Sequence, residues 1–393
     1  DSASARYIFT QLASIARFIF QEADDPILSY LNDDGTSVEP EYYVPIIPFV
    51  LMNGISGIGT GFSCYIPSYS IKDIITYLRL RLTDKTVDTF EFIPYYEGFK
   101  GTVSKIDGES KKYLIKGLYE KIDDNKILIK ELPIGTWTMP YISFLEGLVD
   151  GVSKNGKKQP SEIRDFVSLS TEINVQIEVT FPRGKLATLE STIDTNGING
   201  VEKLLKLTTT TSTSNMHLFD PNHKLKKYNT VSEIIEEFII MRMKFYEIRK
   251  AFILSVLRKK LLKMTNKARY INQILNNEID LRRKSSQEVH ELLEQLDYYK
   301  IEDNYKYLTK MPMDSVTTEI VEQIMKEKKE TQEELEYLTK MSIQRMWYSE
   351  LGTLEHEYDK YKLYRMKLQS SEYNKKGAKK PTPKKKIPRK KKD

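Results

Sequence analysis

Two stretches of the chain repeat apolar residues every seven positions. In the first, Phe238, Phe245 and Phe252 recur with Met241 and Ile248 between them; in the second, Trp347, Leu354, Tyr361 and Leu368 recur with Leu351 and Tyr358. A seven-residue interval keeps side chains on one face of a helix, so each stretch predicts a long helix with an apolar seam. Lying about a hundred residues apart, the seams fit an outgoing and a returning helix paired antiparallel, with a compact helical unit over roughly 275–340 between them. Two ordinary amphipathic helices would give the same local pattern. From about 69 to 225 the period shortens. Phe99 to Ile106, Lys112 to Ile115, Lys126 to Glu131 and Ile173 to Phe181 alternate in the manner of strands between Gly, Asp and Asn turns, while Ile71 to Leu82 and Tyr141 to Asp150 carry helix signals. The expectation is a multidomain α+β protein.

Composition narrows the class. At 393 residues, two to four structural units are expected. No apolar run approaches the roughly eighteen residues of a membrane span, so no membrane partner is expected. Cys64 is the only cysteine, which rules out a disulfide within the chain and fits a reducing compartment. His217, His223, His290 and His356 are scattered without zinc spacing and read as structural or surface residues. The acidic pairs Asp24-Asp25, Asp33-Asp34 and Asp123-Asp124 read as solvated turns or helix caps rather than metal ligands. The net charge of +6 is unevenly spread: residues 375–393 hold eleven basic residues and one acidic, leaving −4 for everything before them. That proline- and lysine-rich tail suits sequence-blind phosphate binding or nuclear import; the body would need local clusters to hold a nucleic acid.

Two short segments carry candidate chemistry. Near the start, Arg6 stands against Tyr7. A phenol with an ordinary pKa near ~10 is a weak nucleophile at neutral pH, but a fixed guanidinium favours the phenolate and offsets charge on a phosphate under attack. Packing is the alternative role for the pair. The second segment, Asn53-Gly-Ile-Ser-Gly57-Ile58-Gly59-Thr-Gly61, places one bulky apolar side chain among bare glycines. It reads as a tight turn with Ile58 in the core, or as a loop presenting Ile58 as a wedge that unstacks a base step. Its G-x-G-x-G spacing does not match a dinucleotide loop.

These segments, with Val38-Glu-Pro-Glu41, Pro45-Ile-Ile-Pro48, Glu97-Gly-Phe-Lys-Gly101, Glu131-Leu-Pro-Ile-Gly-Thr-Trp137, Leu218-Phe-Asp-Pro-Asn-His-Lys224, Tyr307-Leu-Thr-Lys-Met-Pro312 and Met346-Trp-Tyr-Ser-Glu350, occur in the order found in one family. The chain resembles the DNA breakage-reunion region of eukaryotic-type (type IIA) DNA topoisomerase II over roughly residues 1–365. Its short tail and compact loops resemble the enzymes of large cytoplasmic DNA viruses, which implies the host cytoplasm; a cellular enzyme would imply the nucleus. The resemblance makes Tyr7 the residue that joins a 5′ phosphate of DNA, Arg6 the support for the scissile phosphate, and Ile58 the intercalating wedge. Ala5 stands where cellular enzymes usually carry proline. Ser2, Lys203 and Lys206 are further candidates for DNA contact. So is the Thr208 to Thr213 hydroxyl run, for which an exposed polar loop is the alternative.

The resemblance also implies an architecture: part of a winged-helix DNA-gate domain over 1–68, a mixed α/β tower domain over 69–225, a coiled-coil stalk with a helical exit-gate dimerisation domain over 226–370, the gate at about 275–340, and a disordered basic tail over 371–393. It implies double-stranded DNA and a second copy of the chain as partners, and Mg2+ and ATP as cofactors of the parent enzyme. Those cofactors belong to upstream metal-binding and ATPase domains whose motifs are not in this sequence, so the chain reads as the carboxy-terminal part of a longer polypeptide, cut through its winged-helix domain. Alone, it could amount to a DNA-binding and dimerisation module.

Overall fold

The computed structural model describes residues 6, 9–151, 153–154, 157–158, 161–171, 173–281, 284–301, 303–311 and 318–377. The chain divides into two compact units. One comprises Asp1–Ile19, Ile47–Ile239 and Leu351–Asp393; the other comprises Phe20–Ile46 and Ile240–Glu350.

The core of the first unit is a four-stranded antiparallel sheet in the order Asp165–Ser168, Ile177–Thr180, Lys126–Glu131, Leu118–Asp123. Its central register sets Ile177 opposite Ile129 and Val179 opposite Ile127. Because side chains alternate across a strand, these four project to one face, where all are fully buried. The helix Thr138–Asp150 covers that face with Tyr141, Leu145 and Leu148, spaced i, i+4, i+7. Strands near Lys112, Lys126 and Ile177 and the helix at Ile71–Leu82 thus form as the alternation predicts, with the helix near 141 starting one turn earlier.

The threonine run is a strand and not the exposed loop named as its alternative. Thr208–Ser212 is a strand paired with Lys112–Lys116, which pairs in turn with Thr102–Lys105. Thr211 and Thr213 are buried, and the Thr211 hydroxyl donates to the Tyr65 hydroxyl at 3.1 Å. β-Branched threonines suit a pleated surface, and pairing across the ladder replaces the solvent their hydroxyl-rich composition suggested. The run is therefore neither an exposed loop nor, at these two positions, free to reach DNA.

Helix Ile71–Leu82 begins at Ser70, whose side chain accepts from the Asp73 N–H, and buries Ile71, Ile74, Ile75 and Leu78 on one face. Its polar side is tied to two other segments of the same unit. Arg81 forms a two-pronged bond with Glu236 at 2.7 and 2.8 Å, and Tyr77 donates to the same carboxylate at 2.9 Å. Arg79 meets Glu355 at 2.6 Å and Lys72 meets Asp359 at 2.7 Å.

The second unit contains most of the helix Val231–Leu275, the helix Thr318–Lys340 and the start of Ile343–Gly377. Contacts between Tyr246 and Trp347, Lys250 and Met341, and Met264 and Thr331 descend along one partner as they ascend the other, so the pairing is antiparallel. The seam on the outgoing helix is not the predicted one. Phe252 is 38 % and Ile248 50 % exposed, while the buried heptad runs Ile235, Arg242, Arg249, with Tyr246, Leu257, Met264 and Ile271 beside it. On the returning helix Trp347, Leu351, Leu354 and Tyr358 are buried as predicted; Tyr361 is half-buried and Leu368 exposed.

Two arginines can take the core position because their charge is matched there. Arg242 meets Asp24 at 2.8 Å and donates to the Val44 carbonyl at 3.2 Å. Arg249 lies 3.4 Å from the other Asp24 oxygen and 2.5 Å from Glu350. Both guanidiniums flank the Tyr246 ring, 4.2 and 4.4 Å from its centroid, and the Tyr246 hydroxyl donates to Glu350 at 2.7 Å. Tyr246 stacks on Trp347, whose indole N–H donates to the Ile46 carbonyl at 2.9 Å. Asp24, only 2 % exposed, is thus a buried counter-ion and not the solvated turn residue expected from the Asp24-Asp25 pair. Beyond the paired helices, Tyr270, Ile279, Leu293, Tyr298, Tyr305 and Leu308 form a separate core. Beside it the helix Ser286–Gln295 is started by a reciprocal Ser285–Glu288 cap.

Removing one partner of a buried ion pair strands the other. Asp24→Ala, which leaves two guanidiniums facing one carboxylate, is expected to destabilise the second unit by about 3–5 kcal/mol in urea unfolding followed by circular dichroism. Glu350→Gln should cost clearly less, because that side chain keeps 25 % of its surface in water.

Candidate nucleic-acid interface

The glycine-dense segment is a β-hairpin rather than an irregular loop. The short helix Phe49–Asn53 ends at Gly54, and strands Ile55–Gly59 and Phe62–Ile66 follow in register from Ile55 opposite Ile66 to Gly59 opposite Phe62. Only Thr60 and Gly61 form the turn, with Gly61 at φ +84°, a conformation L residues rarely adopt. A side chain at Gly57 would meet nothing within 4 Å, so the flank of Ile58 is bare. Ile58 is 94 % exposed. Of the two readings of this segment, burial in the core is excluded and projection into solvent holds.

The hairpin is anchored on one side. Cys64 and Ile66 are buried. The Tyr65 N–H donates to the Asn215 carbonyl at 2.9 Å, and the Asn215 amide donates to the Ser63 hydroxyl at 2.7 Å, directly across the ladder from Ile58. Phe62 closes over Gly59, where any Cβ would come within 2.8 Å of the ring, and also lies against His217, with centroids 6.3 Å apart. Behind the hairpin, burial raises the pKa of Tyr96 above the ordinary phenol value, so it remains a neutral structural group. Nothing in the sequence pattern flagged Asn215; it acts through a contact 152 positions distant in the chain.

The other candidates occupy separate elements. Arg6 is exposed, and Phe9 and Leu12 downstream of it are exposed too. Tyr7 and Ser2 lie outside the described residues, as does the basic tail beyond Gly377. Lys203 is exposed on the helix Gly200–Leu204, which opens with an Asn199–Glu202 capping box. Lys206, at φ +50° just past that helix, sets its ammonium 4.5 Å from the centre of the Phe144 ring. Among the described residues no hydrogen bond or ion pair joins the hairpin to either lysine. Trp137, at the end of the Glu131–Trp137 motif, is 78 % exposed and takes no part in the core.

Among the described residues, no three His, Cys, Asp or Glu side chains converge as metal ligands would. No helix among them is long and apolar enough to cross a membrane.

Comparison with known proteins supplies the family. Residues 1–352 match the family of DNA gyrase and topoisomerase IV A subunits. DNA topoisomerase 2 of Plasmodium falciparum is 36 % identical over 390 residues, covering 90 % of this chain and 27 % of that protein. The Arabidopsis thaliana protein of the same name is 34 % identical over 411 residues, covering 94 % and 27 %. DNA topoisomerase 2-beta of Homo sapiens is 32 % identical over 394 residues, covering 92 % and 23 %. The chain therefore spans about a quarter of the length of these relatives. Among solved structures, the DNA-binding, cleavage and re-ligation domain of Plasmodium falciparum topoisomerase II superposes with a TM-score of 0.79 at 35 % identity, covering 94 % of this chain and 51 % of that one. With an α+β fold in common and a family match over nearly its whole described length, the chain belongs to the family of DNA gyrase and topoisomerase IV A subunits and corresponds to the breakage-reunion region of type IIA DNA topoisomerases.

Proposed function

We propose that this chain is the nucleophile-bearing part of an ATP-dependent type IIA topoisomerase that opens a transient double-strand break, passes a second duplex and reseals the first, relaxing and decatenating DNA. The observation that carries the reading is Ile58, an isoleucine held almost entirely in water on a braced hairpin. Leaving an isoleucine exposed forgoes about 1.5–3 kcal/mol of burial, a cost explained if the side chain is buried in DNA instead. Inserted between base pairs, it would repay an unstacking cost of a few kcal/mol by bending the duplex onto the protein.

In the cleavage step, the Tyr7 oxygen attacks a phosphorus of the DNA backbone. The new O–P bond joins the tyrosine to the 5′ phosphate, the bond from phosphorus to the 3′ oxygen breaks, and the phenolic proton ends on that oxygen as a 3′ hydroxyl. Arg6 is assigned to offset the charge that accumulates on the phosphate oxygens during the attack. The ester conserves the energy of the broken bond, so the 3′ hydroxyl can reverse the step without external input. Ser2, Lys203 and Lys206 are assigned backbone contacts, which position the duplex without reading its sequence.

Two strands require two tyrosines, hence a homodimer, and the cut ends must stay joined while a duplex passes. We therefore assign the 1–68, 69–225 and 226–370 segments as partial winged helix, tower, and stalk with exit gate, with the dimer contact on the gate at about 275–340 and the buried core that includes Tyr298 and Tyr305 supporting it from within. Mg2+ and ATP would be held by upstream domains of the same polypeptide. The enzyme would work in the host cytoplasm if viral and in the nucleus if cellular.

With the upstream metal-binding region restored and magnesium present, end-labelled duplex should form a denaturant-resistant adduct on its 5′ phosphate. Tyr7→Phe should abolish that adduct while retaining duplex binding; binding with no adduct in either protein, even after trapping the cleaved state, would reduce the chain to a DNA-binding and dimerisation module. Ile58→Ala should change unfolding free energy by less than about 0.5 kcal/mol, as expected of an exposed site, yet lower duplex bending measured by end-to-end energy transfer. Unchanged bending would remove the wedge.

A further inference from the structure

From Ile248 to Asn277 the chain holds eight basic residues and no acidic one, although everything before the tail sums to −4. Three of the eight are committed to the fold. Arg249 sits in the buried cluster, Lys250 donates to the Thr339 and Met341 carbonyls at 3.1 and 2.7 Å, and Arg269 lies 3.9 Å from the centre of the Tyr298 ring. The other five, Arg258, Lys259, Lys260, Lys263 and Lys267, form no ion pair or hydrogen bond with any described residue; the first four are exposed and Lys267 is half-buried. The neighbouring helix Thr318–Lys340 is rich in glutamate, yet none of its carboxylates among the described residues neutralises them.

At about 100° per residue, Lys259, Lys260, Lys263 and Lys267 share one side of the helix, in a row roughly 12 Å long. Arg258 points the other way. The adjacent stripe of Leu257, Met264, Ala268 and Ile271 is buried, so the row rides on a fixed rod and cannot collapse. Like charges four residues apart repel, and Lys259–Lys263 and Lys263–Lys267 are two such pairs with nothing here to offset them. A row of compact ammonium charges matches the evenly spaced phosphates of a duplex, which present about one charge per 1.7 Å of axis.

We propose that Lys259, Lys260 and Lys263, continued by Lys267, form a backbone-contacting strip for a second duplex, separate from the one bent at Ile58. The assignment rests on the function proposed above, in which two duplexes must be handled. Arg6 and Ile58 belong to one compact unit and the strip to the other.

The test uses the full-length parent enzyme carrying Lys259→Gln, Lys260→Gln and Lys263→Gln together, all exposed positions, beside the triple Lys→Arg variant. Adduct formation on a 30-base-pair duplex should be unchanged. With that duplex saturating, binding of a second labelled duplex should lose about two to three from its log–log salt slope in the Gln variant, near 0.9 per lost contact, and keep it in the Arg variant. Decatenation should fall in parallel. An unchanged slope, or decatenation equal to the parent's, overturns the strip while leaving the Tyr7 and Ile58 reading intact; absence of an adduct in parent and variants alike would instead count against that reading.

Discussion

An apolar side chain can be kept in water only if the backbone beneath it is held by something else. Ile58 illustrates the constraint: its own side chain contributes almost nothing to folding, so the hairpin is secured through the strand opposite. Cys64 and Ile66 fill the core, Asn215 ties down both Ser63 and Tyr65, and Phe62 lies over Gly59. The glycines serve two purposes here. Gly61 permits the turn, and Gly57 strips the space beside Ile58. A finger of this kind is preorganised, so the proposed insertion into a duplex would not carry the added cost of ordering the loop.

The second unit solves the opposite problem. Instead of exposing an apolar group, it buries charged ones, and does so by neutralising them within a single cluster. Arg242 and Arg249 occupy a core heptad that aliphatic residues would ordinarily fill, and they bring together the 20–46 segment and both long helices of that unit through Asp24, Val44 and Glu350. Apolar replacements can pack as stably, whereas the ionic arrangement admits one register only: a one-turn slip would separate every guanidinium from its carboxylate. The Met346–Glu350 and Pro45–Pro48 motifs acquire their meaning at this cluster, since Trp347, Glu350 and Ile46 all bond within it.

Charge is sorted along the chain as well as balanced. Residues 1–374 are nearly balanced at a net −4, while the stretch from Ile248 to Asn277 and the tail from Lys375 each carry a local excess of positive charge. A globally acidic body does not conflict with DNA binding, because phosphates respond to local potential within a Debye length of about 10 Å rather than to a whole-protein sum.

Much of the local structure was legible from residue patterns. The helix Ile71–Leu82, the strands at Lys126 and Lys112 and the Trp347–Tyr358 seam follow from periodicity, because their apolar positions are also their buried ones. The isolation of Ile58 among glycines was legible too, although not whether it faced core or solvent. Tertiary structure decided the cases in which a residue's environment came from distant partners. Phe245 and Phe252 yielded the core heptad to Arg242 and Arg249 because Asp24 and Glu350, far away in sequence, supply the counter-charges; Thr211 left the surface because strand Lys112–Lys116 and Tyr65 satisfy it. Sequence alone determined the periodicities, the charge distribution and the order of motifs, which are properties of neighbouring residues. Which polar groups could be buried, and that Ile58 faces solvent and not the core, depended on non-local pairing, where desolvation and its compensation are decided.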